Sequence, residues 1–206
     1  MALTENEVEL IKSSWKPAED DPKKYAVLLF KMLFTKYPEY PKLFSDFSDV
    51  DVANIESDKR VLRHALKVLN AITGVVHLLG DPEKMNDIVE TLEQMARGHL
   101  RRQIGLDKFE NLGHVLIEFI CQVNDFKCPA SVTVPESTDS TAPNKTTNGG
   151  ADDNAQQTAA SIDASDLVKS WTKLYSVILD IVKKESASTP SKLIDLPTAS
   201  SMDDDI

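Results

Sequence analysis

Residues 61–99, VLRHALKVLNAITGVVHLLGDPEKMNDIVETLEQMARGH, contain two consecutive segments in which apolar residues recur every three or four positions. This spacing places them on one face of a helix, so each segment is predicted to form an amphipathic helix. Gly80 ends the first segment, and Asp81-Pro82 is predicted to cap the second. Two adjacent amphipathic helices bury their apolar faces against a shared core.

Each of these two helices carries a histidine on its apolar face. His64 lies three residues after Val61, and His99 lies three residues after Ala96. Burying an imidazole costs free energy unless something binds it, and a metal ion is the strongest common partner of a neutral imidazole nitrogen. The two histidines could be satisfied core residues, or they could bracket a planar iron cofactor. A bare zinc site is less favoured, because no cysteine or carboxylate lies on the same faces to complete four ligands.

The rest of the ordered chain is also predicted to be helical, because no stretch alternates polar and apolar residues and only 7 glycines occur. Pro17 is predicted to end the first helix, and Pro38 the second. The predicted helix starts are Thr4 with Glu7 as a capping box, Asp21-Pro22, Ser57 or Asp58, Asp81-Pro82, Asp107, and Asp163 or Ser165.

The chain divides into four predicted parts. Residues 1–128 form the main helical core, and residues 163–185 form a last helix that returns to it. Residues 129–162 are rich in Ser and Thr and poor in large apolar side chains, so this insert is predicted to be disordered. Residues 186–206 form a similarly disordered acidic tail, which ends in Asp203-Asp204-Asp205.

Composition excludes several functional classes. The net charge of −10 disfavours binding to nucleic acid or to an anionic membrane surface. No apolar run reaches the roughly 18 residues of a membrane-spanning helix, and the N-terminus lacks signal-peptide features, so a cytoplasmic location is expected.

The 2 cysteines do not form a disulfide scaffold. An intact helix would hold Cys121 and Cys128 ~10 Å apart, too far for a bridge. Because Pro129 ends the helix, Cys128 could fold back toward Cys121. Two free thiols are the favoured interpretation, and a redox-linked disulfide is the alternative.

The spacing of several residues resembles the globin family, and within it the neuroglobin type. Pro38 is followed six residues later by Phe44, and His64 follows 20 residues after Phe44. The run Arg97-Gly98-His99 and, ten residues after His99, Phe109 extend the match, as do Trp171 and Leu174-Tyr175 in the last helix. Phe30 and the run His64-x-x-Lys67-Val68 favour the neuroglobin type. The resemblance covers residues 3–128 and about 163–184.

This resemblance implies an all-α globin fold of seven to eight helices around a haem b pocket. His99 would be the proximal iron ligand, and His64 either the sixth ligand or a hydrogen-bond donor to bound gas. Phe44, with Phe47 nearby, would pack on the porphyrin. Lys67 and Arg97 would pair with the haem propionates, whereas Asp46 departs from the pattern and makes anchoring from its loop doubtful. The predicted apolar wall consists of Phe30, Val68, Met95, Ile104 and Leu112.

The expected function is reversible binding of a diatomic gas (oxygen, carbon monoxide or nitric oxide) for sensing, scavenging or storage, with His64 as an internal ligand. The alternatives are a haem-based redox protein, such as a nitric-oxide dioxygenase, a nitrite reductase or an electron-transfer protein, and a partner-binding module that uses residues 129–162. An enzymatic role is disfavoured, because a reductant would be needed and the chain has no dinucleotide- or flavin-binding segment. A weak nitric-oxide dioxygenase or peroxidase-like activity stays open.

Overall fold

The computed structural model describes residues 3–128 and 163–188. These residues form six α-helices and three short 3₁₀ helices, and no strand occurs among them. The all-α fold predicted from the sequence is confirmed. The helices are α1 (Glu5–Asp20), α2 (Pro22–Lys36), α3 (Lys59–Leu78), α4 (Met85–Leu100), α5 (Leu106–Val123) and α6 (Ala164–Ser188), and the 3₁₀ helices span Tyr40–Leu43, Ser45–Phe47 and Val52–Asn54.

Side-chain caps fix four of the helix starts where the sequence predicts them. Thr4 and Glu7 form the reciprocal capping box of α1, and the Asp21 carboxylate accepts from the Lys24 N–H at the start of α2. Of the two candidates for α3, Asp58 is the cap. The Asp163 carboxylate, just before α6, accepts from the backbone N–H of Ser165 in the first turn of that helix at 2.8 Å. These bonds satisfy N–H groups that have no partner inside the helix.

The prediction that Pro17 ends the first helix is wrong. Helix α1 continues to Asp20 with Pro17 inside it, and the Pro17 carbonyl accepts from the Asp21 N–H at 3.2 Å. Trp15 and Ala18, on either side of the proline, are both buried. Packing of this face outweighs the one backbone hydrogen bond that proline cannot make.

Three other predicted boundaries also shift. The Asp81 carboxylate accepts from the Glu83 N–H within a turn, and α4 begins only at Met85, because residues 81–87 are exposed and the first buried side chain is that of Ile88. Helix α5 begins at Leu106, one residue before the predicted start. Helix α6 extends to Ser188 and so includes residues 186–188 of the predicted tail. The predicted disordered insert and residues 189–206 lie outside the described residues.

Indole hydrogen bonds tie the first helix to the last helix and to α3. The Trp171 Nε1–H donates to Ser14 Oγ at 2.9 Å, and the Trp15 Nε1–H donates to Thr73 Oγ1 at 2.9 Å. The two indole rings lie 5.5 Å apart, and Phe119 of α5 lies 6.1 Å from Trp15. The chain therefore returns to the same core after residue 162, as its apolar pattern predicts.

Helices α5 and α6 cross at close range at Gly113. The Tyr175 ring lies against this glycine, so that a Cβ atom at position 113 would be 2.4 Å from Tyr175 Cε1. The Tyr175 hydroxyl donates to the Phe109 carbonyl at 2.8 Å, which fixes the ring, and burial raises the pKa of this tyrosine. Gly113 thus allows the two helices to approach.

Within the part of the chain that the structure describes, no helix has the length and apolar character needed to cross a bilayer.

Replacing Gly113 by alanine should destabilise the fold, because the added methyl group overlaps a ring that cannot rotate away. The expected loss is about 1–3 kcal/mol of unfolding free energy, measured by urea denaturation. Gly74→Ala in α3 is the matched control, since a Cβ atom there meets nothing within 4 Å. The control should be neutral or stabilising by about 0.5–1 kcal/mol. Equal losses in both variants would contradict the close-approach argument.

Removing the cap of α3 should weaken the helix that carries His64. The Asp58 carboxylate accepts from the Arg60 N–H at 2.8 Å, and its other oxygen from Arg60 Nη2 at 2.7 Å. Asp58→Ala should therefore cost about 1 kcal/mol in urea denaturation at pH 7. Asp58→Asn is the control that keeps a capping oxygen without the charge.

The same contacts predict how this cap depends on pH. The guanidinium of Arg60 lowers the pKa of Asp58 from 3.8 to about 2. A carboxylate with a lowered pKa contributes stability above pH 3.8, and that contribution is lost as the pH falls toward 2. The stability difference between wild type and Asp58→Asn should therefore shrink between pH 4 and pH 2. A constant difference would argue against the Arg60 pairing.

Candidate functional site between two histidines

A pocket of about 80 Å³ lies between helices α2, α3, α4 and α5 and the 3₁₀ turns that follow α2. Its walls are mainly apolar and aromatic, and its nitrogen-bearing side chains are two histidines and a lysine. The lining residues are Phe30, Leu33, Tyr40, Leu43, Phe44, His64, Val68, His99, Ile104, Lys108, Phe109 and Leu112.

His99 lies in the last turn of α4, where its own helix orients the ring. The Nδ1 atom lies 2.9 Å from the Met95 carbonyl oxygen, so Nδ1 carries the proton and donates it. Phe109 packs edge-on at 5.3 Å. Burial lowers the pKa of His99, an effect that the Met95 hydrogen bond opposes. The imidazole is therefore neutral near pH 7, and its Nε2 lone pair is available to a metal ion.

His64 projects from α3 into a cage of phenylalanine rings. The centroids of Phe44, Phe30 and Phe47 lie 4.8, 5.6 and 6.0 Å from the imidazole. Burial lowers the pKa of His64 to about 4, and the charge of Lys67, or of His99 when it is protonated, acts in the same direction. This histidine is therefore also neutral, and within residues 3–128 and 163–188 no hydrogen bond engages its ring nitrogens.

The donor set fits a haem better than a bare metal ion. The two imidazoles supply two ligands, and among the described residues no group of three or more His, Cys, Asp or Glu side chains could hold a metal ion. A macrocycle brings the remaining ligands itself, and its planar apolar surface matches the aromatic lining. The pocket is smaller than the roughly 300–1,000 Å³ typical of ligand sites.

Seven of the eleven residues predicted for the site line the pocket: Phe30, Phe44, His64, Val68, His99, Ile104 and Leu112. The other four lie around it. Phe47 stacks behind Phe44 at 4.6 Å, and Met95 holds His99 through its carbonyl. Lys67 is exposed on α3. Arg97 points toward α6, where its Nη1 lies 3.1 Å from a Glu185 carboxylate oxygen and 3.8 Å from one of Glu93.

Sequence reasoning missed five lining residues. Leu33 and Phe109 belong to apolar stripes and could have been assigned from them, and Leu43 lies beside Phe44. Tyr40 and Lys108 carry no local signal, because tertiary contacts bring them together: the Lys108 ammonium lies 5.7 Å from the Tyr40 ring centroid.

An asparagine holds Tyr40 at the pocket wall. The Asn111 Nδ2–H donates to the Tyr40 hydroxyl at 2.6 Å, while the Tyr37 hydroxyl donates to Asn111 Oδ1 at 3.1 Å. The two tyrosine rings stack at 4.8 Å. Burial raises the pKa of Tyr40, so its hydroxyl stays protonated.

The chain is similar in sequence to known globins. A family model described as Globin matches residues 27–136. Cytoglobin-1 of Danio rerio is 29% identical over 123 residues, which cover 59% of this chain and 69% of that protein. A globin of Aplysia limacina is 26% identical over 185 residues, which cover 89% of this chain and 97% of that protein.

Solved structures show the same fold. A double mutant of the myoglobin of Aplysia limacina superposes with a TM-score of 0.63 at 21% identity, covering 89% of this chain and 98% of that chain. A hexa-coordinate haemoglobin of Drosophila melanogaster gives a TM-score of 0.66 at 17% identity, covering 88% of this chain and 94% of that chain.

The family match spans more than half of the 206 residues and includes both pocket histidines. Haem is the cofactor of this family, and the donor set described above fits it. The chain belongs to the globin family.

Proposed function

We propose that this globin binds haem b between His99 and His64 and reversibly binds a diatomic gas at the iron, with His64 as an internal sixth ligand. The observation that carries the proposal is the pair of neutral imidazoles lining one apolar pocket from two consecutive helices. When bound, the haem supplies an iron atom that a gas molecule can ligate.

His99 is the proposed proximal ligand. The Met95 carbonyl accepts the Nδ1 proton, which fixes the tautomer and leaves Nε2 as the ligating atom. A hydrogen bond of this kind also makes the imidazole a stronger donor to a metal ion. The edge-on contact with Phe109 limits rotation of the ring.

His64 is the proposed internal ligand. Its low pKa of about 4 keeps the ring neutral over the physiological range, and the surrounding phenylalanines offer it no hydrogen bond. A metal ion is then the strongest partner it can find. The hexa-coordinate haemoglobin of Drosophila melanogaster, which shares the fold, supports the proposal of the same coordination here.

Lys67 is the proposed propionate partner among the predicted basic residues. Arg97 is a weaker candidate, because Glu185 and Glu93 already neutralise it. Arg102 is a further candidate, since its charge lowers the pKa of both His64 and His99, and its Nη1 donates to the Gly98 carbonyl at 3.0 Å, one residue before His99. The Asp46 loop offers no cation of its own, and its backbone carbonyl accepts from Arg60.

An internal ligand competes with gas, which suits sensing, scavenging or storage more than bulk transport. A cytoplasmic location is part of the same proposal, as is a partner-binding role for residues 129–162, which the described residues do not include.

The deoxygenated ferrous protein should show a low-spin, six-coordinate absorption spectrum, because His64 occupies the position that the gas would take. Carbon monoxide should displace it and give a carbonyl spectrum. In His64→Val the ferrous spectrum should become high-spin and five-coordinate. The apparent carbon monoxide affinity should rise about tenfold or more, because His64 no longer competes with carbon monoxide for the iron.

His77→Val is the matched control for this experiment. His77 lies on the same helix, but its side chain is 62% exposed and pairs with Glu19 at 2.7 Å, so the variant should keep the wild-type spectrum. A five-coordinate wild-type protein would refute the internal ligand while leaving haem binding intact. Failure to bind carbon monoxide at all would favour electron transfer over gas binding.

Replacing His99 by glycine should empty the site, because the iron loses its oriented anchor. The Soret band of the purified variant should be largely lost, and added imidazole should restore it in part. His77→Gly in the same assay is the control, which tests whether a glycine introduced into a helix is by itself enough to cause loss of haem. An unchanged Soret band in His99→Gly would show that His99 is not the anchor.

A further inference from the structure

The end of helix α5 reverses the chain through a tight hydrogen-bonded turn. After Val123, Asp125 adopts a left-handed conformation with φ 57°. The Phe126 N–H donates to the Cys121 carbonyl at 2.8 Å, and the Asp125 N–H to the Gln122 carbonyl at 3.3 Å. This pair of bonds defines a Schellman motif, which ends a helix and turns the chain back along it.

The turn is anchored to the core by one side chain. The Asn124 Nδ2 group donates to the Ser14 carbonyl of α1 at 3.1 Å and to the Ile120 carbonyl at 2.8 Å. The position of the reversed segment is therefore fixed relative to α5 and α1. An ordered reversal keeps residues on its two sides in lasting proximity.

The reversal brings the two cysteines of the chain together. Cys121, in the last turns of α5, is 1% exposed, and Cys128 is half-buried beside it. Both thiols are free, and after burial it is the neighbouring Cys128 thiol that raises the pKa of Cys121. A continuous helix would have separated them by ~10 Å. The helix ends at Val123, well before Pro129, where its end was predicted.

We propose that Cys121 and Cys128 form a reversible intramolecular disulfide in response to a small-molecule disulfide oxidant such as oxidised glutathione. The Asp125 turn reverses the chain between the two cysteines before any oxidant arrives, so no helix has to unwind for the ring to close. The bond would close a loop of eight residues and fix the point at which the chain leaves the helical core before residue 129.

The reaction proceeds in two balanced exchanges. The Cys128 thiolate attacks one sulfur of oxidised glutathione, which breaks the glutathione disulfide, forms a mixed disulfide and releases one glutathione thiolate. The Cys121 sulfur then attacks the Cys128 sulfur of the mixed disulfide, loses its proton and releases the second glutathione. Two protein thiols are oxidised to one disulfide, and one oxidised glutathione is reduced to two glutathione molecules.

Exposure sets the order of these steps. Cys128 is the thiol that the oxidant can reach, whereas Cys121 lies in the core. Burial also raises the pKa of the Cys121 thiol, which disfavours the thiolate that a first attack requires. Cys121 is therefore the resolving thiol, acting on the sulfur of the neighbouring Cys128.

The test incubates the full-length chain in buffers of graded reduced and oxidised glutathione and measures intact mass and free thiols. Because the chain has only 2 cysteines, the expected product is a monomer that has lost two hydrogens and has no free thiol. Three results would each overturn the proposal: two thiols that persist under oxidation, a disulfide-linked dimer, or a stable mixed disulfide with glutathione.

Single variants test the order of attack. Cys121→Ser should accumulate the mixed disulfide at Cys128, because no second thiol resolves it. Cys128→Ser should keep a free Cys121 and react at least about tenfold more slowly. Equal rates of glutathione addition in the two variants would overturn this order.

Two substitutions at the turn test whether its geometry is the cause. Asp125→Gly preserves the left-handed conformation and should retain the wild-type extent of disulfide formation at a given glutathione ratio. Asp125→Val disfavours that conformation and should shift half-oxidation to a more oxidising ratio by about tenfold. Identical curves for the two variants, both with circular dichroism matching wild type, would show that the turn does not govern the pair.

Discussion

The placement of two uncharged, half-buried imidazoles in one apolar pocket is the constraint around which the rest of this structure is arranged. A histidine surrounded by phenylalanine rings, as His64 is, gains no hydrogen bond from its neighbours to offset the lost hydration. His99 recovers part of this cost through the Met95 carbonyl and keeps its second nitrogen available. Such an arrangement is costly in an isolated protein core and is favourable when a metal-bearing group joins the two rings.

The remainder of the fold brings these two side chains together from separate helices. The Asp58 cap fixes the start of the helix that carries His64. The contact of Tyr175 with Gly113 sets the separation of α5 and α6, and α5 provides Phe109 beside His99. The Trp171–Ser14 hydrogen bond seats α6 although a long polar insert precedes it in the chain.

Much of this architecture could be predicted from local pattern, and the failures have identifiable causes. Helical periodicity identified every α-helix and placed His64 and His99 on inward faces, because periodicity and burial are directly linked. Boundaries failed where tertiary packing overrode a local signal: buried Trp15 and Ala18 carry α1 through Pro17, and the exposed residues after Asp81 delay α4. Charged and polar partners were least predictable, since Arg97 pairs with Glu185 and Tyr40 with Asn111, residues distant in sequence. The site roles inferred from the globin resemblance stay predictions, to be decided by spectroscopy.

The ion pairs between α4 and α6 give the helix of His99 a mechanical connection to the last turns of α6. Arg97 lies 3.1 Å from Glu185, and the Lys184 ammonium lies 2.9 Å from Glu93. Two ion pairs of opposite polarity therefore join α4 to the last turns of α6. A displacement of α4 along its axis must either pull those turns with it or break the pairs. Ions in solution weaken exposed pairs of this kind, so the stiffness of the linkage falls as ionic strength rises.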